Sequence, residues 1–151
     1  VLVRSATGFL QAYARAQGVT LESIATDGRL PVLGDELGLR QVVTNLLLNA
    51  CQACPRGGRV AAVVRRVPDD SRWVEIEVKD SGCGIPREHL AKVCESFFTT
   101  KPQGTGLGLS FCREVVRRHA GTISIDSVVG VGTSMFVRLP LLETHGHDPG
   151  R

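Results

Sequence analysis

The chain has 151 residues, 42% of them hydrophobic, and a net charge of +3, enough for one domain with a real core and too little charge, too dispersed, to point to nucleic acid. Five cysteines, an odd number, argue against a disulfide scaffold, and neither an apolar run of about 20 residues that could span a bilayer nor a signal-peptide pattern is present. Met135 is the one methionine, so the sequence carries no initiator and reads as a piece of a longer protein.

Residues 5–17 predict a helix with Phe9, Leu10 and Tyr13 on its apolar face, ended by Gly18. Val19 to Ala25 reads as a strand, Asp27-Gly28 as a turn, and Leu30-Pro31-Val32-Leu33 as a short second strand. Asp35 is a good N-cap for a helix from Glu36 to Cys54. Val42, Val43, Leu46, Leu47, Leu48 and Ala50 make that helix apolar over a wide arc, so it is expected to be largely buried. Yet Gln41, Asn45, Asn49 and Gln52 recur at helical spacing and form one polar stripe. Either backbone or water satisfies these amides, or the stripe faces solvent, or it lines a polar ligand site. An amide oxygen also suits Mg²⁺, which prefers hard oxygen ligands and shares itself with substrate phosphates. The Cys51-Gln52-Ala53-Cys54 spacing fits a redox or half-zinc motif, but it lies within the helix and no second pair at ligand spacing follows; core thiols are the better reading.

Pro55-Arg56-Gly57-Gly58 breaks the helix, Val60 to Val67 reads as a strand, and Pro68 to Ser71 as a turn. From Trp73 to Asp80 the alternation is clean: Val74, Ile76 and Val78 face the core, while Glu75, Glu77 and Lys79 face out. By parity Asp80 belongs to the core face, where a carboxylate is costly unless hydrogen-bonded or partly solvated. Ser81-Gly82-Cys83-Gly84-Ile85 follows, and its glycines allow close backbone approach. Asp80 can accept a hydrogen bond from a base's exocyclic amine, or it can cap the turn through its own backbone.

Arg87 to Cys94 predicts a short helix with Pro86 at its start. In Phe97-Phe98-Thr99-Thr100-Lys101-Pro102-Gln103-Gly104-Thr105-Gly106-Leu107-Gly108-Leu109-Ser110, three glycines alternate with Thr105 and Leu107 just before an amphipathic helix. The unpaired N–H groups and positive dipole end of such a helix suit a phosphate, and Lys101 could reach the same anion; a plain flexible connection is the other reading. The helix, Leu107 to His119, buries Leu109, Cys112, Val116 and His119 and ends at Gly121. Arg113, Arg117 and Arg118 form a basic face, solvated first and a docking surface second. Ile123 and Ile125 mark a strand, and Gly130-Val131-Gly132 a turn. The last strand has Thr133, Met135, Val137 and Leu139 on one face, so Thr133 starts it on the core side as Asp80 ends its own. Residues 143–151 are expected to be a loose tail on a single domain spanning 1–142.

The order Asn45-x-x-x-Asn49-Ala50, Asp80-Ser81-Gly82-Cys83-Gly84-Ile85, Phe97-Phe98-Thr99-Thr100-Lys101, Gly104-Thr105-Gly106-Leu107-Gly108-Leu109 resembles the catalytic, ATP-binding domain of bacterial sensor histidine kinases, in the GHKL ATPase superfamily. The Phe-Phe-Thr-Thr-Lys form with its short connection is similar to the nitrogen-regulation and oxygen-sensing kinases. The resemblance implies an α+β fold, a two-layer sandwich of a mixed, mostly antiparallel sheet on three helices. It implies ATP and Mg²⁺ as ligands. It assigns Asn49 to the metal and phosphate, Asn45 and Gln52 to the same stripe, and Asp80 to the adenine amine with Thr133 supporting through water. Gly82, Gly84 and Ile85 would shape the adenine pocket. Gly104, Thr105, Gly106, Leu107, Gly108 and Leu109 would hold the phosphates and hinge a lid, with Thr100 and Lys101 at its base.

Many relatives carry Lys and Tyr where this chain has Gln52 and Ala53, and Pro where it has Ser96. Such kinases transfer the γ-phosphoryl of ATP to a histidine on a separate dimerising hairpin. None of His89, His119, His145 and His147 stands in a His-Glu or His-Asp context on a long amphipathic helix. His119 sits at a helix C-terminus, where partial positive charge is favourable, and it and His89 read as structural or surface residues. The expected partners are therefore that hairpin of the same protein and a response regulator receiver domain, with no nucleic acid and no membrane contact by this fragment. The resemblance implies a cytoplasmic domain whose parent could be membrane-anchored. The rivals are a GHKL ATPase or anti-sigma-type protein-serine kinase, and a non-catalytic nucleotide-sensing module. In the hydrolases a catalytic Glu stands four residues before the metal Asn; here that position is Asn45.

Overall fold

The alternation from Val74 to Asp80 builds the centre of the molecule. In the computed structural model, which describes residues 1–95, Phe98 and 106–142, the chain runs α1 (Leu2–Gln17), β1 (Thr20–Ala25), α2 (Glu36–Ala53), β2 (Arg59–Val67), β3 (Asp70–Asp80), α3 (Arg87–Leu90), α4 (Gly108–Arg118), β4 (Thr122–Val128) and β5 (Gly132–Pro140). The strands form one sheet in the order β1-β2-β3-β5-β4. Only the β1–β2 pair is parallel, and the other three are antiparallel. The long helices α1, α2 and α4 cover one face, giving the expected two-layer α+β sandwich.

Burial follows the sequence pattern on α2: Val42, Val43, Leu46, Leu47, Ala50 and Cys51 are buried and meet Val60, Val78 and Val137 of the sheet. Asp35 caps α2 as predicted, its carboxylate accepting from the N–H groups of Leu37 and Gly38 at 3.0 and 3.1 Å. Gly18 closes α1 in the left-handed conformation, φ 71°, with its N–H on Ala14 and Arg15 carbonyls.

Several expectations are corrected. Helix α1 starts at Leu2 and buries Val3, Ala6, Thr7, Leu10 and Ala14, which leaves Phe9 79% exposed on the opposite face. Leu30 to Leu33 forms no strand: Pro31 lacks an N–H, and its carbonyl takes a single backbone bond, from Leu142, at 2.8 Å. Helix α3 ends at Leu90, and turn hydrogen bonds from Lys92, Val93 and Glu95 continue the chain instead. The left-handed residue after α4 is Ala120, φ 54°, not Gly121. Gly121 is required for a different reason, since a Cβ there would overlap the Arg138 carbonyl.

The face of the sheet away from the helices is a charged layer. Arg65 and Arg138 lie opposite Glu75 on its two sides. Both bond its carboxylate, Arg138 at 2.7 Å, while Arg65 also reaches Glu77 at 2.9 Å. Glu75 does point outward as its parity predicts, but the two guanidinium groups close over it and leave it 4% exposed.

Candidate functional site

The register pairs Asp80 with Val60 on one side and Thr133 on the other, so the last residue of β3 meets the second residue of β5. Both side chains are buried, at 7% exposure, on the helix-covered face. Oδ1 of Asp80 accepts the N–H of Gly82 at 2.8 Å and that of Thr133 at 3.3 Å. The turn-capping reading of Asp80 is thereby realised through one oxygen, while Oδ2 has no hydrogen-bond partner among the described residues. Burial raises the Asp80 pKa above the ordinary carboxylate value, against the two N–H groups, which lower it. A hydrogen-bond donor arriving at Oδ2 would stabilise the charged form.

The glycine turn after Asp80 is fastened at several points. Cys83 donates its N–H to the Ala53 carbonyl at the end of α2, 3.2 Å, and its own carbonyl accepts from Gly130 at the β4–β5 turn, 2.8 Å. A Cβ on Gly82 would stand 2.6 Å from the Ala53 oxygen and 2.8 Å from Oδ1 of Asp80, so no larger residue fits. Gly84 has φ 75°, and a Cβ there would overlap the Val128 carbonyl.

Ser127 completes this corner, and no motif had pointed to it. Its Oγ accepts the Ile85 N–H at 2.8 Å, donates to the Gly132 carbonyl at 3.1 Å and is hydrogen-bonded to Thr133 Oγ1 at 2.7 Å. It thus joins the ends of β4 and β5 to the loop that carries Gly82, Gly84 and Ile85. The available signal was parity: Ser127 follows Ile123 and Ile125 on the inward side of β4, as Asp80 and Thr133 do on theirs.

The amide stripe lies on α2, directed toward α4. Asn45 is held from both sides, accepting from Gln41 Nε2 at 3.0 Å and directing its own Nδ2 to the buried Cys112 Sγ at 3.9 Å. Asn49, one turn further, is half-buried, and Gln52 is exposed. Burial pushes the Cys112 thiol up to about 11 and the Cys51 thiol to about 11, which fits core thiols rather than nucleophiles. Among the described residues no cluster of three or more His, Cys, Asp or Glu could hold a metal. Amide oxygens supplemented by phosphate are the donor set available, a set that fits Mg²⁺.

Gly106 has φ 71°, and Gly108 begins α4 after Leu107, whose side chain offers no capping oxygen. Leu109 packs against the core. Thr100, Lys101, Gly104 and Thr105 lie outside the described residues, as do Ser96, Phe97 and the 143–151 tail. A cavity of about 450 Å³ opens at the strand ends, lined by Glu22, Ala61, Lys79, Ser134 and Asp126 among others. Those five residues form one register row on the open face of the sheet. The cavity contains neither Asn45 nor Asn49, but Asp80, Ser127 and Thr133 also line it, so it borders the corner built around Asp80.

The family model for histidine kinase-, DNA gyrase B-, and HSP90-like ATPases matches residues 34–143. Sporulation kinase A of Bacillus subtilis (strain 168) is 33% identical over 139 residues, covering 92% of this chain and 22% of that protein. Sensor kinase CckA of Brucella abortus (strain 2308) is 38% identical over 145 residues, covering 85% of this chain and 15% of that protein. The chain thus spans less than a quarter of the length of these relatives. The solved catalytic domain of histidine kinase ThkA, in a nucleotide-free form, shares the fold with a TM-score of 0.82 at 30% identity, covering 92% of this chain and 90% of that one.

Proposed function

The chain belongs to the family of histidine kinase-, DNA gyrase B- and HSP90-like ATPases, and from that premise we propose that it binds ATP with Mg²⁺ and presents the γ-phosphoryl to a histidine on a separate dimerising hairpin of the same protein. The parent would then be a two-component sensor kinase acting on a response regulator receiver domain. No helix among the described residues is long and apolar enough to cross a membrane, and we place this domain in the cytoplasm.

The observation that carries the reading is the half-used carboxylate of Asp80. Oδ1 is fixed by two backbone N–H groups, so Oδ2 is held in one place to accept from the exocyclic amine of adenine. The stripe of Asn45 and Asn49 and the N-terminal end of α4 would flank the phosphates, with Asn49 the amide nearest to a shared metal. When bound, Mg²⁺ supplies charge neutralisation on the phosphates. The contribution of this chain's own residues is positioning: Asp80 orients the base, the amides orient the polar end, and the first N–H groups of α4 receive negative charge. Thr100, Lys101, Gly104 and Thr105 belong to the same reading as the lid and its phosphate contacts.

Asn45 favours transfer over hydrolysis. Its amide is already bonded to Gln41 and has no basic oxygen with which to activate water. Calorimetry with Mg²⁺ and ATP, ADP or GTP tests the binding, and labelled ATP with a supplied hairpin tests the transfer. The chain alone is expected to bind adenine nucleotides and not to label itself. Equal affinity for GTP and ATP, or phosphohistidine on this chain alone, would sink the reading.

A further inference from the structure

Two helices flank the proposed phosphate region, and one side chain ties their far ends together. His119 is the C-cap of α4, the residue after Arg118, and half-buried. Its Nδ1 stands 2.7 Å from the Val115 carbonyl, which can only accept, so Nδ1 carries the proton. Its Nε2 stands 2.9 Å from the backbone N of Asp35, which can only donate, so Nε2 is the acceptor. One neutral tautomer satisfies both bonds, with Nε2 the acceptor at this helix end. Asp35 is in turn the N-cap of α2. Gly34 lies flat against the imidazole, and a Cβ there would overlap the ring. The imidazole is therefore a clamp between the end of α4 and the start of α2.

The same helices touch at a second point. Cys112 directs its Sγ to the Val42 carbonyl at 3.8 Å and receives Asn45 Nδ2 at 3.9 Å. The helices run antiparallel, since residue numbers rise along α2 and fall along α4 from the Asp35–His119 contact to the Asn45–Cys112 contact. Asp35 and His119 lie seven residues to one side of Val42 and Cys112, roughly 10 Å along a helix. Asn49 and Gly108 lie four residues to the other side of Asn45 and Cys112, about 6 Å. A rotation of α4 about the Cys112 contact that opens the clamp end also displaces the other end, by a smaller amount in proportion to these lengths.

We propose that His119 is a positioning residue for the terminal phosphate: through the α4 clamp on Asp35 it sets the gap between Asn49 and the N-terminal end of α4, without touching the nucleotide. This rests on the nucleotide reading above. The adenine corner hangs on β3, β5 and the Ala53 carbonyl, none of which His119 contacts, so its effect falls on the γ-phosphate.

The test is calorimetry of the chain with Mg²⁺-ADP and Mg²⁺-ATP for wild type, His119→Ala, His119→Gln and His119→Asn, each with its melting temperature. Loss of ATP binding by the wild type would overturn the nucleotide reading itself. Given wild-type binding, His119→Ala is expected to weaken ATP about three- to tenfold more than ADP, the range of one to two lost hydrogen bonds. His119→Gln, whose amide oxygen reaches as far as Nε2, restores most of the ATP-to-ADP ratio; His119→Asn, which is shorter, does not. Equal weakening of ATP and ADP, an unchanged ratio, or equal rescue by Asn and Gln each overturns the proposal in favour of a merely structural histidine. If His119→Ala does not fold, Gly34→Ala, which pushes on the ring and keeps its hydrogen-bonding groups, must give the same shift in ratio.

Discussion

Thr133 donates its backbone N–H across the sheet to the carboxylate of Asp80, 3.3 Å from Oδ1. The bond runs from the start of one strand to the end of its neighbour, and it fixes a buried charge where the sheet meets the loop of Gly82 and Gly84. The site residue thereby depends on an arrangement that opposes folding as much as it supports it.

Asp80→Asn separates the two roles. Burial holds the folded pKa of Asp80 above its unfolded value, so this group costs stability progressively as pH rises from the ordinary carboxylate value through the folded pKa. The asparagine Oδ1 can still accept from Gly82 and Thr133. The variant is expected to be as stable as wild type or more so at pH 7, with a flatter stability profile above the ordinary carboxylate range. Its affinity for ATP should fall about ten- to a hundredfold, since a charge-assisted bond is replaced by a facing donor, with little change for GTP. Thermal melts across pH and calorimetry with both nucleotides read this out. A variant less stable at pH 7, with both nucleotides equally affected, would mean that the carboxylate is structural.

Ser127→Ala removes the hydroxyl that serves Ile85, Gly132 and Thr133 together. Leaving the Ile85 N–H without its acceptor is expected to cost about 1–2 kcal/mol in urea unfolding. Amide exchange at Ile85 should also quicken ahead of global opening. Unchanged exchange at Ile85 would show that water takes the place of the hydroxyl at no cost.

Ala120→Gly tests the turn after α4. Ala120 is held at φ 54°, a conformation costing an L-residue with a Cβ roughly 1–2 kcal/mol. The glycine variant is expected to gain about 1 kcal/mol, reduced by the larger entropy of its unfolded chain. Its Cβ is exposed, so no core contact is lost. Destabilisation in urea unfolding would contradict this account.

Parity and spacing made much of this legible. The alternation on β3 and β5 puts Asp80 and Thr133 on the buried face, and the same rule finds Ser127 on β4 once the single polar residue of its inward face is weighed. Spacing on α2 found the stripe, but the partner of Asn45 is Cys112, 67 residues away, and a sequence holds no distance between helices. The burial of Glu75 was invisible because it depends on Arg65 and Arg138, which neighbour it only through the strand order. Leu30 to Leu33 looked like a strand by composition, yet Pro31 has no N–H to donate to a ladder and no neighbouring strand edge takes the segment up. The glycine at 121 was rightly noticed for the wrong cause: close approach to Arg138, not the left-handed turn, requires it.

Asn49→Ala and Asn49→Asp address the chemistry directly. Asn49 lies half-buried one turn beyond Asn45 on the same stripe, and on the proposed reading it is the residue that shares a metal with phosphate. Alanine removes the ligand. Aspartate keeps an oxygen but adds charge beside the phosphates, which raises the repulsion the metal must offset. Both variants are expected to lower phosphoryl transfer to a supplied hairpin by at least about a hundredfold, the scale of losing one preorganised charge-stabilising contact. On the proposed reading ADP keeps its adenine contacts at Asp80, so its affinity should fall less than about tenfold. The measurements are transfer rates with Mg²⁺ titrated, and ADP affinity with and without the metal. Wild-type rates with unchanged Mg²⁺ dependence would assign the stripe to structure and move the metal to another ligand.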